Sequence, residues 1–197
     1  MAMMHRRLRP PPSKPAERPE AGERGAALVE FAIIATVFLT LAFGAFEMGL
    51  AWSDSQLVTQ GARTGARVAS QLGSNAAADS FSVESIEAAL GDLGDDLTRI
   101  VIYEANAVDG SMPPACESAS PPGIANQCSI YDKTAFGTYG SWSDGSWAPS
   151  NRDDSFGSAD YVGVTIEVAR PYATGFFAGS TFNIADTTVM RIEPQPD

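Results

Sequence analysis

The sequence is poor in the residues that most often carry enzyme chemistry. It contains one histidine, His5, and two cysteines, Cys116 and Cys128. A zinc site needs about four ligands, and a serine or cysteine nucleophile needs a neighbouring base. The sequence has no phosphate-binding loop and no G-x-S-x-G motif. We therefore expect no catalytic residues, no metal and no cofactor. An enzyme built on carboxylates would need an acid pair clustered in a pocket.

Basic residues are scarce outside the first 24 positions. The chain carries 13 Lys and Arg against 24 Asp and Glu, and six of the basic residues precede Gly25. An acidic body does not favour contact with phosphates, so we expect no nucleic acid as a partner. Residues 1–25 are rich in proline and poor in large apolar side chains, which predicts a disordered leader. Either it has no role, or its arginines orient the chain in a membrane. We favour the second interpretation.

Charged residues are also nearly absent from residues 26–52, where Glu30 and Glu47 are the only two. The sixteen uncharged residues between them would cover about 24 Å as a helix, less than the ~30 Å hydrocarbon core of a bilayer. We therefore predict a transmembrane helix over residues 26–52, with one or both carboxylates near a membrane boundary or facing a protein. A cleaved signal peptide is the alternative. Its apolar region typically spans about 7 to 15 residues, and this run is longer.

Residues 53–73 contain no proline and many small residues, which predicts a helical extension of the membrane helix. Gly61 and Gly65 are four residues apart. Each glycine lowers helix propensity by about 1 kcal/mol, so their spacing either marks the close approach of a neighbouring backbone or is accidental.

The segment "RGAALVEF" before an apolar helix resembles the processing site of type IV prepilin-like proteins. The run from about residue 24 to residue 70, which includes the Phe46–Glu47 pair and "GARTGARVA", more closely resembles the TadE-like family of tight-adherence pilus assembly proteins. The resemblance implies that a prepilin peptidase cuts between Gly25 and Ala26. Glu30 then stands at position five of the mature chain.

The same resemblance implies an assembly role for two carboxylates. Glu30 would pair with the new amino terminus of a neighbouring subunit inside the membrane. The alternative is that Glu30 lies solvated at the cytoplasmic headgroup level. Glu47 would either mark the outer membrane boundary or meet an arginine of a partner.

The function implied is that of a minor pilin-like component of a tight-adherence pilus system, acting by helix assembly and supporting pilus biogenesis and adhesion. Expected partners are other pilin-like subunits, inner-membrane assembly proteins and the prepilin peptidase. The expected location is the bacterial inner membrane, with a single span, a cytoplasmic amino terminus and a periplasmic or extracellular head. The alternative is a membrane-anchored binding domain outside any filament, with a glycan as one possible ligand.

Residues 75–197 predict a small α+β head domain with an antiparallel, pilin-like sheet. A helix is predicted around residues 81–93, with Ser82 as its N-cap and Phe81 packed on Ile86. Strands are predicted around residues 98–107, over the alternating segment "YVGVTIEVAR", and over residues 181–192.

Cys116 and Cys128 bracket a loop rich in Pro and Ser. Because two cysteines outside the cytoplasm tend to pair, we predict a disulfide between them. Residues 129–160 are interpreted as a long loop that contains several aromatic residues. Those rings either pack against the sheet or form a surface for a partner or glycan, with Trp142 and Trp147 as candidates, and we favour packing.

Overall fold

The computed structural model describes residues 21–106, 108–132, 146–175 and 180–194. The chain forms two compact units, of which the first ends at Ala42 and the second begins at Phe43. Helix α1, Ala21–Leu72, contributes residues to both. The second unit adds a small domain with a five-stranded antiparallel sheet. The predicted α+β class with a long amino-terminal helix is confirmed.

The remaining elements follow α1 along the chain. Two helices are α2, Ala78–Leu90, and α3, Pro114–Glu117, and two short 3-10 turns span Gly91–Asp96 and Pro149–Asn151. The strands are β1, Leu97–Glu104; β2, Gly123–Ile124; β3, Cys128–Asp132; β4, Tyr161–Pro171; and β5, Thr181–Arg191. Their order in the sheet is β2-β3-β1-β4-β5.

Strand β4 shows the predicted alternation, with every second residue from Val162 to Val168 buried in the core between the sheet and α1. Strand β5 pairs with it from Thr181 opposite Pro171 to Arg191 opposite Tyr161. The loop predicted over residues 129–160 is wrong at its start, because β3 pairs with β1 there. The first four residues of β3 are all buried, so this strand lacks the alternation that sequence reasoning looks for.

The start predicted for the second helix is also wrong. Helix α2 begins at Ala78, and the Asn75 side chain accepts a hydrogen bond from the Ala77 N–H just before it. Ser82 is therefore inside the helix, where its buried hydroxyl donates to the Ala78 carbonyl at 2.6 Å. Phe81 is 52% exposed and forms no buried staple. The N-cap residue is Ala77, five positions earlier than predicted, and no side chain caps the helix.

The carboxy-terminal half of α1 packs on the head through small residues. A Cβ added to Gly61 would lie 3.3 Å from side-chain atoms of both Leu90 and Ile166, and one added to Gly65 would lie 2.5 Å from Ile86 Cδ1. Between these positions and beyond, Ala62, Ala66 and Ala69 are fully buried. The close neighbours of the two glycines are thus side chains of α2 and β4 in the same chain.

The opposite face of the sheet carries the second, smaller core. Cys116 and Cys128 form the predicted disulfide and are buried there with Val101, Tyr103 and Ile130. The Tyr103 ring crosses β4 at Gly163, where an added Cβ would lie 2.2 Å from Cζ. The disulfide joins α3 to β3 and so fastens the loop of residues 105–127 over this face.

A buried ion pair joins α2 to the segment that precedes β4. Arg152 Nη2 binds the Asp79 carboxylate, whose other oxygen accepts a 2.7 Å hydrogen bond from the Tyr131 hydroxyl. The Arg152 guanidinium also stacks 4.5 Å from the Trp147 ring. Its Nε and Nη1 atoms are buried without a hydrogen-bond partner among the described residues. Burial and the neighbouring Asp79 raise the pKa of Tyr131, which keeps its hydroxyl a donor.

The glycine contacts predict opposite outcomes for two alanine substitutions on α1. Gly65→Ala places a methyl group against the buried Ile86 side chain, so we expect a loss of about 1–3 kcal/mol in unfolding free energy from overpacking. Gly49→Ala, the matched control, meets nothing within 4 Å and should be neutral or stabilising. Thermal unfolding of the full chain in detergent measures both. Equal stability of the two variants would contradict the packing described.

The ion pair predicts a strong effect of removing one partner. Asp79→Asn leaves the Arg152 charge buried and uncompensated, which should cost about 3–5 kcal/mol in unfolding free energy. Asp92→Asn, at an exposed position in the adjacent 3-10 turn, serves as control and should change stability by less than about 0.5 kcal/mol. Denaturant unfolding monitored by Trp fluorescence gives the values. If adding Arg152→Met to Asp79→Asn restored none of the lost stability, the assignment of the loss to the buried charge would be wrong.

Candidate functional site

The first half of α1 exposes a largely apolar surface. Large side chains are exposed on all sides of the helix, and they include Leu28, Val29, Phe31, Ile33, Ile34, Val37, Phe38, Leu39, Leu41, Phe43 and Phe46. Such a surface needs lipid or another protein to cover it. By length and composition the helix is able to cross a membrane.

Glu30 lies on this exposed surface, one position before Phe31. It has no hydrogen bond or ion pair with any residue that the structure describes. Gly25 and Ala26 precede it on exposed turns of the same helix, and no atom lies within 4 Å of a Cβ placed on Gly25. The three residues predicted for processing and assembly are therefore free to contact other molecules.

Glu47 lies in a different environment and is 7% exposed. One carboxylate oxygen accepts hydrogen bonds from the N–H and the hydroxyl of Thr174, each at 2.6 Å, and the other accepts a 3.3 Å bond from the Ala173 N–H. The three donors belong to two residues of the turn between β4 and β5, 126 and 127 positions away in sequence. The carboxylate thus has partners within its own chain, and the expected roles of Glu47, at the outer membrane boundary or beside an arginine of a partner, stay predictions.

A second group of charges joins α1 to the head near this turn. Arg170, at the end of β4, binds Asp54 of α1 at 3.2 Å and Asp96 of the 3-10 turn at 2.7 Å. These partners, the hydrogen bond to Asp96 above all, raise the pKa of Arg170. Together with the Glu47 contact, this group fixes the turn and the end of β4 to the helix.

The small residues predicted for helix packing, Gly61 and Gly65, lie on the face of α1 that contacts the head. They are covered within the chain. Arg63 and Arg67 are exposed on the other side of the helix. A helix–helix contact in this region would therefore involve the arginine side rather than the glycines.

The aromatic residues of the predicted loop separate into two groups. Trp147 is 2% exposed and stacks on Arg152, so it packs in the core and offers no face to a glycan. Trp142, Phe136 and Tyr139 lie outside the described residues.

An open groove lies at the end of the sheet farthest from Glu47. It holds about 780 Å³ and is lined by residues from β1, β4, β5 and two loops, with Glu104, Asp160 and Arg191 among them. Burial raises the pKa of Glu104, and the charge of Asp160 adds to that shift. Asp160 accepts a 2.7 Å hydrogen bond from the Asp153 N–H, which gives this carboxylate a structural partner. No cluster of metal-binding side chains occurs among the residues whose placement is described.

Two of these contacts carried no warning in the sequence. Nothing local links Glu47 to Thr174 or Asp79 to Arg152, since each pair is far apart along the chain. Two features of the sequence could have hinted at these contacts. No charged residue lies near Thr174, and Arg152 is a single basic residue in a segment with several acids.

The Glu47 contact predicts a local effect of substitution. Glu47→Ala removes the acceptor of the Ala173 and Thr174 N–H groups, so their hydrogen exchange should accelerate by about tenfold or more, since hydrogen bonds to charged groups contribute about 1.5–3 kcal/mol. Glu30→Ala, a carboxylate removed from the same helix, is the control and should leave these amides unchanged. Exchange measured by mass spectrometry on the full chain reports both. Unchanged protection in Glu47→Ala would show that other contacts hold the turn.

Comparison with known proteins locates the similarity in α1. The search of curated proteins and the search of solved structures found no match. A protein-family model does match, over residues 25–67, and it describes a TadE-like protein. The matched range includes Gly25, Ala26, Glu30, Glu47 and both glycines of the packed face. Residues 25–67 of this chain are therefore similar to the TadE-like family, as their resemblance predicted, and are called the TadE-like segment below.

Proposed function

We propose that this chain is a minor pilin-like component of a tight-adherence pilus assembly system, and that it acts by helix assembly and not by catalysis. The observation that carries the proposal is the carboxylate of Glu30, which has no partner among the described residues and lies on an exposed apolar helix within the TadE-like segment. A TadE-like segment suggests association with tight-adherence pili. The finer role rests on the arguments that follow.

The two carboxylates of the apolar segment differ in whether they have hydrogen-bond partners among the described residues. Glu47 is satisfied by the head, whereas Glu30 has no counterpart in the described part of the chain. An ionised acid at the centre of a bilayer costs about 2.5–3.5 kcal/mol, and the cost falls toward the boundary. The positive amino terminus of a neighbouring subunit, created by cleavage after Gly25, would neutralise it. Pairing two charges that are each costly alone favours assembly of the helices.

The orientation follows from charge and redox chemistry. Arginines of the leader favour the cytoplasmic side of the membrane, and the disulfide of the head fits an oxidising compartment. We therefore infer a single span in the bacterial inner membrane with the head in the periplasm or beyond it. Prepilin peptidase, other pilin-like subunits and inner-membrane assembly proteins are the partners of this proposal.

The alternative function is a membrane-anchored binding domain that enters no filament. The groove beside Glu104 and Asp160 favours it, since the groove is open and lies at the end of the head away from Glu47. A glycan bound through Trp147 is no longer part of this alternative because that ring is buried. The two functions differ in what they require of Glu30.

The first test is intact mass and amino-terminal sequencing of the membrane-extracted protein, from cells with and without the prepilin peptidase. A mature chain that begins at Ala26 only when the peptidase is present would support the pilin-like route. An uncleaved chain in both strains would contradict it and favour a static membrane anchor.

Substitution of Glu30 provides the second test. Glu30→Gln removes the charge that would meet the neighbour's amino terminus, so copurification of other pilin-like subunits with the tagged chain should fall by about tenfold or more, as expected when a buried charge loses its partner. Thr40→Ala is the matched control, because the Thr40 hydroxyl donates only to the Thr36 carbonyl of its own helix among the described contacts. Equal copurification for Glu30→Gln and Thr40→Ala would support the binding-domain alternative.

A further inference from the structure

The turn between β4 and β5 is uncharged and lies next to the apolar segment of α1. Residues 171–185 contain no charged side chain, in a chain with 37 Asp, Glu, Lys and Arg residues in total. The Tyr172 and Phe182 rings lie 5.3 Å apart where the turn leaves and rejoins the sheet. Ala173 and Gly175 are exposed at the turn itself. The surface offered here is apolar and aromatic.

Helix α1 continues this surface beyond Glu47. Met48 is 72% exposed and Trp52 is 71% exposed, although both belong to the part of the helix that carries the head. The first charged residue after Glu47 is Asp54, and it binds Arg170, the last charged residue before the uncharged turn. The charged residues nearest the apolar segment on the helix and on the strand are therefore Asp54 and Arg170, and they pair with each other.

Glu47 is the carboxylate nearest that ion pair on its apolar side, and the turn covers it with three hydrogen bonds. With Glu47 covered, the stretch that lipid can surround runs from Phe31 to Trp52. These 22 residues span about 33 Å as a helix, which matches the ~30 Å hydrocarbon core with Trp52 at its outer edge. Trp and Tyr concentrate at membrane interfaces, where an apolar body and a polar tip are both satisfied.

We propose that residues 172–175 of the β4–β5 turn, with Met48 and Trp52 of α1, form a lipid-binding surface that lies in the outer interfacial layer of the membrane that α1 spans. Glu47 holds the turn against the helix, and the Arg170 group marks the level at which water begins. The occupant is the lipid bilayer, because the surface is continuous with the membrane span and lacks unpaired charge among its described residues. This inference rests on the membrane anchoring in the proposed function.

The inference is tested by the depth of a nitroxide label in the full chain, reconstituted in vesicles of phosphatidylethanolamine and phosphatidylglycerol. The label is placed on Ala173→Cys; the two native cysteines are joined to each other and do not react. Collision with oxygen, which concentrates in lipid, is compared with collision with a water-soluble nickel complex. Two matched labels accompany it, on Val37→Cys in the apolar segment and on Ala125→Cys at an exposed turn on the far side of the sheet.

We expect the label at position 173 to favour oxygen, at a depth of about 5–10 Å as for interfacial elements, and the label at position 125 to favour nickel. Adding Glu47→Ala should raise nickel collision at position 173. A label at 173 that is as accessible to nickel as the label at 125, with position 37 deep in lipid, would overturn the inference and leave the anchor intact. Shielding from both probes would show that a second copy of the chain covers the surface, which also overturns it. A water-exposed label at position 37 would remove the membrane anchor itself.

Discussion

The contact between the Glu47 carboxylate and the β4–β5 turn lies where helix α1 changes from an exposed apolar segment to a segment packed on the head. An acid in the middle of a long apolar run would be costly in lipid, yet here three donors of the same chain satisfy it. The helix can then remain apolar on every side up to this point. Beyond it, the Arg170 group and the small-residue face attach the head. Loss of this contact would leave the Arg170 group alone to hold the turn and the end of β4 to the helix.

The composition of α1 changes along its length for the same reason. Before Glu47 the side chains are large and exposed, as suits a surface covered by lipid or by other helices. From Gly61 to Ala69 the residues facing the sheet are glycine or alanine, because Ile86 and Ile166 occupy the space that larger side chains would need. Glycine is costly for the helix but allows the isoleucines to reach it. The spacing of Gly61 and Gly65 resembles a motif for pairing two membrane helices. In this chain it packs one helix against its own head domain.

The sequence allowed prediction of those parts of the fold that follow local periodicity or composition. The alternation of Val162 to Val168, the long apolar helix and the pairing of Cys116 with Cys128 were all predicted and are present. Strand β3 was missed because it has only five residues and mixes Ser129 and Asp132 with apolar ones, and the start of α2 was misplaced because no side chain caps this helix. The partners of Glu47, Asp79 and Arg152 depend on how distant elements pack, which no local pattern contains. Glu30, in contrast, could be identified from the sequence, because its expected role depends only on its spacing from Gly25 along one helix.

The buried cluster around Arg152 has a consequence for the length of the chain between β3 and Trp147. Tyr131 reaches the cluster through Asp79, and the Ser129 hydroxyl exchanges hydrogen bonds with the backbone of Trp147 at 3.1 and 3.2 Å. Tyr131 and Trp147, which stand on either side of this stretch, are thus both anchored to the core. Doubling the length of a loop with fixed ends costs only about 0.6 kcal/mol. An insertion between these two anchors should therefore cost the head little stability, which makes this position suited to an added epitope.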